Sequence, residues 1–235
     1  MRDVWKFSAA MAMVLARLLA GAPDLQGVWQ IATPTPALLT DQGTFPPLTK
    51  AGRDIYNQNQ AAIAKGDRCS WDPVAKCKPP GEPRTYTENS WPFELFQSQN
   101  RIDFLFQRNR LDRTIPVLDK QIDDPDAPFY FGHSAAQWDG DVPKVQVINL
   151  KSNTFLDDAG LPHSEDMTID ETWHLKGPNT LVGTFHFTDP TIYSSAWDAT
   201  MTFKRMPAGT RIPEDSCTDR TNSNDYATIG SSVKY

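Results

Sequence analysis

Hydrophobic and polar positions alternate with a period of two over three successive stretches of the chain. Met167, Ile169, Glu171, Trp173 and Leu175 share one parity, opposed by Thr168, Asp170, Thr172 and His174. Leu181, Gly183, Phe185 and Phe187 oppose Val182, Thr184 and His186. Trp197, Ala199, Met201 and Phe203 oppose Asp198, Thr200 and Thr202. Alternation of this kind, with the turn Lys176-Gly177-Pro178-Asn179 between two of the stretches, predicts an antiparallel sheet. Further strands are expected at 25–31, 93–96, 102–107, 113–118 and 145–150. Thr49 can cap a polar helix running to about Lys65, where Gly66 supplies a stop. The expected fold is all-β: a single antiparallel barrel, lipocalin-like, or a sandwich, with one peripheral helix and long loops. One domain is expected over residues 23–235, ending in a polar tail after Pro213.

Composition narrows the function. The 235 residues hold 25 aromatics (7 Trp, 6 Tyr, 12 Phe), enough large apolar area for a core. The net charge of −6 lacks the basic balance of a nucleic-acid binder. No stretch is long and apolar enough to predict a membrane span. Residues 1–22 (MRDVWKFSAAMAMVLARLLAGA) have a positive start, an apolar run and a small-x-small end, the layout of a secretory signal peptide. A secreted or periplasmic location is therefore expected. Cys69, Cys77 and Cys217 are the three cysteines. An odd count in a secreted chain implies one disulfide and one leftover, paired as Cys69–Cys77 or Cys77–Cys217. Three scattered cysteines without a CxxC do not make a structural zinc site.

Two histidines sit in acidic loops. One loop is GHSAAQWDGD, with His133, Trp138, Asp139 and Asp141; the other is DDAGLPHSEDM, with His163 and Asp166. Both flank the strand at 145–150, so the loops meet if its ends turn back on the same sheet. Histidine beside a carboxylate is an acid–base arrangement, because its pKa lies near neutrality and the acid fixes its tautomer. The competing expectation is that these groups only satisfy turn backbones. His174, His186 and Asp170 share a polar sheet face, with no spacing diagnostic of a metal. GHSAA approaches the G-x-S-x-G nucleophile elbow, but Ala136 breaks it and no β/α alternation surrounds it. No GxGxxG or GxxxxGK[ST] occurs, so no nucleotide cofactor is expected. Trp91, Phe104, Trp138, His186, Tyr193 and Trp197 are the candidates for lining a pocket for an apolar small molecule.

Five segments together resemble a group of secreted bacterial proteins of unassigned activity, with fungal relatives. They are PDLQGVW (23–29), CKPPGEPR (77–84), GHSAAQWDGD (132–141), DDAGLPHSEDM (157–167) and DPTIYSSAW (189–197). They are similar to that group's C-x-P-P-G-x-P-R, G-x-S-x-G-x-W-E-G-D, D-x-x-G-x-P-H-S-[DE]-x-[LM] and D-P-x-x-Y-x-x-P-W. This chain has Ala136, Asp139 and Ala196 where the pattern has Gly, Glu and Pro. The resemblance implies a secreted β-rich domain and supplies no reaction.

The expected activity is a cofactor-independent lyase, isomerase or cyclase on an apolar or aromatic small molecule. His133 or His163 would move a proton, with Asp139, Asp141 or Asp166 orienting it, and positioning in the pocket would do much of the work. The alternatives are a non-catalytic, lipocalin-like carrier and a metal-dependent hydrolase.

Overall fold

The structure, a computed structural model, describes residues 23–66, 71–87, 91–120, 122 and 127–217. The expected leader, Cys69 and the last part of the tail lie outside them. Nine strands form one sheet: β1 (Gly27–Ile31), β2 (Phe93–Gln97), β3 (Arg101–Phe106), β4 (Asp112–Pro116), β5 (His133–Asp139), β6 (Val142–Ile148), β7 (Thr168–Leu175), β8 (Thr180–Thr188) and β9 (Trp197–Arg205). Their order is β4-β3-β2-β1-β9-β8-β7-β6-β5, so each strand lies beside its neighbour in sequence and β9 returns to β1. This is an up-and-down barrel rather than a sandwich.

Closing an odd number of alternating strands forces one parallel contact. It falls between β4 and β5, where Val117 and Ala136 make a parallel bridge and the Leu118 amide donates to the Ala136 carbonyl at 2.9 Å. No other bridge joins these two strands among the described residues. The barrel is therefore nearly closed, with a seam.

The alternation seen in the sequence sorts the side chains as expected. Ile169, Glu171 and Trp173 of β7, Phe185 and Phe187 of β8, and Phe203 of β9 point into the lumen and are buried. Gly183 stands opposite Trp173, and a Cβ there would come within 2.8 Å of the indole ring, so glycine makes room for the tryptophan. Short hairpins at 98–100, 140–141 and 176–179 close one end of the barrel. The long connections 32–92, 149–167 and 189–196 all leave from the other, the loop end.

The expected peripheral helix is α1 (Lys50–Ala64). The Thr49 hydroxyl accepts from the Gly52 amide, and Gly66 ends the helix at φ +71°. It packs at the loop end: Gly52 faces the Ile192 carbonyl, and Asn59 donates to the Gly160 carbonyl at 2.8 Å. The 32–92 connection also carries a 3₁₀ turn, Pro73–Lys76, and the short helix α2 (Arg84–Thr87). Of the two disulfide pairings, the structure has Cys77–Cys217, which ties the tail to this connection.

The segment 132–141 is corrected by the structure. GHSAAQWDGD is not a loop; most of it is β5, paired residue for residue with β6. Its alternation is masked by the short side chains of Ser134, Ala135 and Ala136.

Candidate active site

Tyr86, on α2, enters the loop end of the barrel and stands at its centre. Its ring is 2 % exposed and contacts six aromatic rings: Phe93, Phe104, Phe106, Trp173, Phe185 and Phe203, at centroid distances of 5.3 to 6.0 Å. Burying a tyrosine this deeply requires a partner for its hydroxyl. Arg113 of β4 supplies one, its Nη1 donating at 2.9 Å.

Arg113 organises a polar cluster inside this aromatic lumen. It holds Glu171 of β7 through two parallel bonds, Nη1 to Oε2 at 3.1 Å and Nη2 to Oε1 at 2.9 Å. Trp173 Nε1 adds a third bond to Glu171 at 2.9 Å. Nη2 also donates to Ser134 Oγ of β5 at 2.9 Å, so Arg113 spans the seam by a side-chain bond where backbone pairing is absent. Bidentate guanidinium–carboxylate pairing is among the stronger and more directional polar contacts a protein makes.

A second carboxyl, Glu82, lies against the same guanidinium, with Oε1 3.2 Å from Arg113 Nη1. It is fully buried, and neither oxygen has a hydrogen bond of good geometry. Burial, together with the negative charge of Glu171, pushes its pKa up to about 8 against the pull of Arg113. Glu82 therefore favours its protonated form more than an ordinary carboxyl does. Arg113 Nε is likewise buried without an acceptor.

Solvent reaches this cluster at one lumen-facing position. Ser134 points inward by its pairing with Val147, yet it is half-buried rather than buried. Near it, half-buried Phe131 stacks on buried Phe106 with planes 5° apart.

A second ionic group anchors α2 from outside. Arg84, 1 % exposed, binds Asp72 through Nη1–Oδ1 (3.0 Å) and Nη2–Oδ2 (2.8 Å), and Asp158 through Nε and Nη2 (3.0 and 2.7 Å). Neighbouring Asp157 accepts from the Leu161 and Leu38 amides, while burial pushes its pKa up to about 6.

The sequence candidates divide between the two ends. His163, Tyr193 and Trp197 come together at the loop end. His163 is buried; its Nδ1 lies 2.9 Å from the Ser164 carbonyl and its Nε2 2.8 Å from Thr154 Oγ1. A carbonyl only accepts, so Nδ1 carries the proton, while Thr154 Oγ1, which also donates to the Lys151 carbonyl at 2.9 Å, lies against Nε2. Burial lowers its pKa, which keeps the ring neutral. Tyr193 donates to the Pro162 carbonyl at 2.8 Å, and Trp197 stacks on Phe187 at 4.2 Å. Asp189 ties this corner by accepting from Ser164 N and Oγ and from the Thr191 and Ile192 amides. Asp166 is exposed in the next turn.

His133 starts β5 at the loop end but faces outward, its Nε2 3.0 Å from the Ala127 carbonyl. Asp139 ends the same strand, about 20 Å away at 3.3 Å per residue. It is exposed and paired with Lys144 at 2.6 Å, whose hydrogen bond and charge lower its pKa. Asp141 follows in the exposed hairpin turn. The expected meeting of the two acidic loops therefore does not occur for Asp139 and Asp141. His186 lies on the outer face, Nδ1 2.7 Å from Asp198 Oδ1, with both side chains about half exposed. Phe104 lines the lumen, Trp138 faces it nearer the hairpin end, and Trp91 precedes β2 at the loop end. Among the described residues, no three His, Cys, Asp or Glu side chains come together to hold a metal ion.

Sequence reasoning did not single out Glu82, Tyr86, Arg113, Glu171 or Ser134 as a site. One signal was available: Glu171 shares parity with Ile169 and Trp173, and Arg113 shares parity with Ile115. A charge on each of two core-facing faces asks for a partner inside. No protein-family model matches this chain, and no curated protein matches it.

Proposed function

We propose that the chain is a cofactor-independent lyase, isomerase or cyclase acting on an apolar or aromatic small molecule, with Glu82 as its proton donor. The observation that carries this reading is a fully buried carboxyl, its pKa raised by burial, set beside a guanidinium and the Tyr86 hydroxyl in an aromatic chamber. Such an acid gives its proton to a substrate oxygen that departs as water. The carboxylate left behind, next to Arg113, takes the proton the substrate loses from carbon as the double bond or ring closes. The acid is restored and no electrons change hands. This step moves the chemistry from the histidine loops to the lumen; His163 and Asp189 then hold the loop end in shape.

Ser134 and Phe131 would mark the way in, with Tyr86 filling the centre until a substrate arrives. The segments 77–84, 132–141, 157–167 and 189–197, which carry the resemblance to secreted bacterial proteins, contribute Glu82, Arg84, Ser134, His163 and Asp189 to one end of the barrel. Export through residues 1–22 is part of the same reading, supported by the Cys77–Cys217 bridge, since disulfides persist in oxidising compartments.

The test is a screen of hydroxylated and unsaturated aromatic compounds, followed by product analysis. Wild type is expected to convert a member by loss of water or by rearrangement. Glu82→Gln, which keeps shape and neutrality but has no acidic proton, is expected to bind that member without converting it. Binding by both proteins with no product from either would make the chain a carrier, and equal turnover by both would remove Glu82 from the mechanism.

A further inference from the structure

On the outside of the barrel, β1 parts from β9 before the ladder between them is complete. Their pairing sets Gln30 against Lys204 and Ile31 against Phe203, and the Ala32 amide still donates to the Thr202 carbonyl at 2.8 Å. The same register would set residue 34 against Thr200 and residue 36 against Asp198. Both positions are proline, Pro34 and Pro36, which have no N–H to give to a neighbouring strand. The chain leaves the sheet there and returns at Asp41, whose amide donates to the Asp198 carbonyl at 2.9 Å. Along an antiparallel strand, alternate residues turn both N–H and C=O to the same side. Asp198 and Thr202 face β1, so Thr200 between them does too. Among the described residues, neither its N–H nor its C=O meets a partner on that side. The departing segment is held away from the gap. The Leu38 amide donates to Asp157 at 2.9 Å, the Pro36 carbonyl accepts from the Ala159 amide at 2.9 Å, and the Thr40 and Thr44 hydroxyls bond at 2.7 Å. Between this segment and β9 lies a cavity of about 420 Å³, with Ala37, Leu38 and Leu39 from the segment and Thr200 and Thr202 from the strand in its walls.

We propose that this slot binds an extended peptide carrying a lysine or arginine, whose own N–H and C=O pair with the C=O and N–H of Thr200. One residue in extended conformation matches those two groups in direction and spacing, which is how a strand adds to a sheet edge. The bonds at Asp198 and Thr202 confine the slot to a stretch of β9 about 13 Å long, so about three residues of the peptide fit and the rest turns out to solvent. Side chains directly opposite one another in a sheet share a face. The residue opposite Thr200 therefore points outward, beside Asp41, which accepts from Thr200 Oγ1 at 3.0 Å, and diagonally across from Asp198. Asp198 is shared with His186 of β8, while Asp41 has no cation against it among the described residues. A lysine or arginine supplies that charge, and an acidic residue would be repelled by both carboxylates. The slot lies on the outer face, apart from Glu82 and Arg113, and is independent of any chemistry in the lumen.

Three capped tripeptides separate the contributions: acetyl-Ser-Lys-Ser-amide, the same peptide methylated on the lysine amide nitrogen, and acetyl-Ser-Glu-Ser-amide. Each is titrated into the whole disulfide-bonded protein and followed by backbone NMR. The Thr200 amide is expected to exchange quickly with solvent in the free protein and to slow when the lysine peptide is added. That peptide is expected to shift the amides of 32–41 and 198–202 saturably, and to bind about threefold or more tighter than the glutamate peptide. Methylation removes the donor to the Thr200 carbonyl and is expected to weaken binding about fivefold or more. Asp41→Asn keeps an acceptor for the Thr200 hydroxyl but not the charge, and is expected to shrink the preference for lysine while leaving the methylation penalty in place. The wild-type comparison needs no variant to fold. Slow exchange at Thr200 in the free protein would show the edge already covered and overturn the proposal. So would equal binding of the methylated peptide, equal or tighter binding of the glutamate peptide, or no saturable shift by about 20 mM peptide.

Discussion

Glu82 and Arg113 lie 3.2 Å apart in the centre of the barrel, yet Arg113 commits its paired N–H groups to Glu171 rather than to Glu82. One guanidinium thus faces two carboxyls, and burial raises the pKa of the one without the bidentate bond. The consequence for stability follows from its pKa, raised from 4.5 to about 8. Between those values the native chain holds a proton that the unfolded chain has released. Stability from this group is complete below about pH 4.5, declines as pH rises, and is lost by about pH 8. Urea unfolding from pH 5 to 8.5 is expected to show wild type losing stability relative to Glu82→Gln as pH increases. A constant difference across that range would show that Glu82 ionises normally.

Tyr86 fills the lumen, so its removal leaves a hole lined by aromatic rings. Tyr86→Ala is expected to cost about 3–5 kcal/mol, the usual range for an aromatic-to-alanine change in a core. Phenol or p-cresol should raise the melting temperature of that variant more than that of wild type, because the hole takes a phenol ring and Arg113 can donate to its hydroxyl. Tyr86→Phe keeps the packing and loses the hydroxyl that Arg113 and Glu82 share, so its cost should be about 1–3 kcal/mol. A Tyr86→Ala protein as stable as wild type would mean that Tyr86 does not fill the lumen.

Arg84 balances two acids at a buried position. Removing it strands Asp72, itself 2 % exposed, and breaking such a pair typically costs about 3–5 kcal/mol. Arg84→Met should approach that figure. Arg84→Lys should recover only part of it, since an ammonium cannot reproduce the paired bonds to Asp72 and the two to Asp158. Chemical denaturation of both variants measures the difference.

His163→Ala is expected to lower stability by about 1–3 kcal/mol, because it removes a buried ring and its bonds to the Ser164 carbonyl and Thr154, which keeps only the Lys151 carbonyl. His163→Asn, which can bond to one of them, should be milder. Unchanged melting with abolished turnover would instead place His163 on the substrate.

Much of the barrel was legible because alternation over 167–175, 181–187 and 197–204 is a strong local signal. It set Trp173, Phe185 and Phe203 apart from the polar positions of their strands, and theirs is the side the structure buries. β5 escaped because Ser134, Ala135 and Ala136 give little contrast between faces, and the turn-forming residues around them read as a loop. That error carried the site with it: His133 and Asp139 look adjacent in a loop but stand at opposite ends of a strand. The luminal site was hidden for a different reason. Glu82, Arg113 and Glu171 come from three distant segments, and only barrel closure brings them together. Their charges on otherwise apolar faces were visible, but which charge meets which is a property of register and not of local pattern.

The pairing of β9 with β1 sets an order of events. Gly27–Ile31 is made early and Trp197–Arg205 late, and the ring of strands joins only when the second reaches the first. Until then β1 and β8 each present an open backbone edge, and the aromatic lumen is exposed between them. Pairing across so long a stretch of chain is slow to form and prone to aggregation meanwhile. Shortening the chain ahead of Trp197 should therefore yield insoluble material rather than a smaller barrel. A protein whose ninth strand completes its ring acquires its chamber only after that strand has been made.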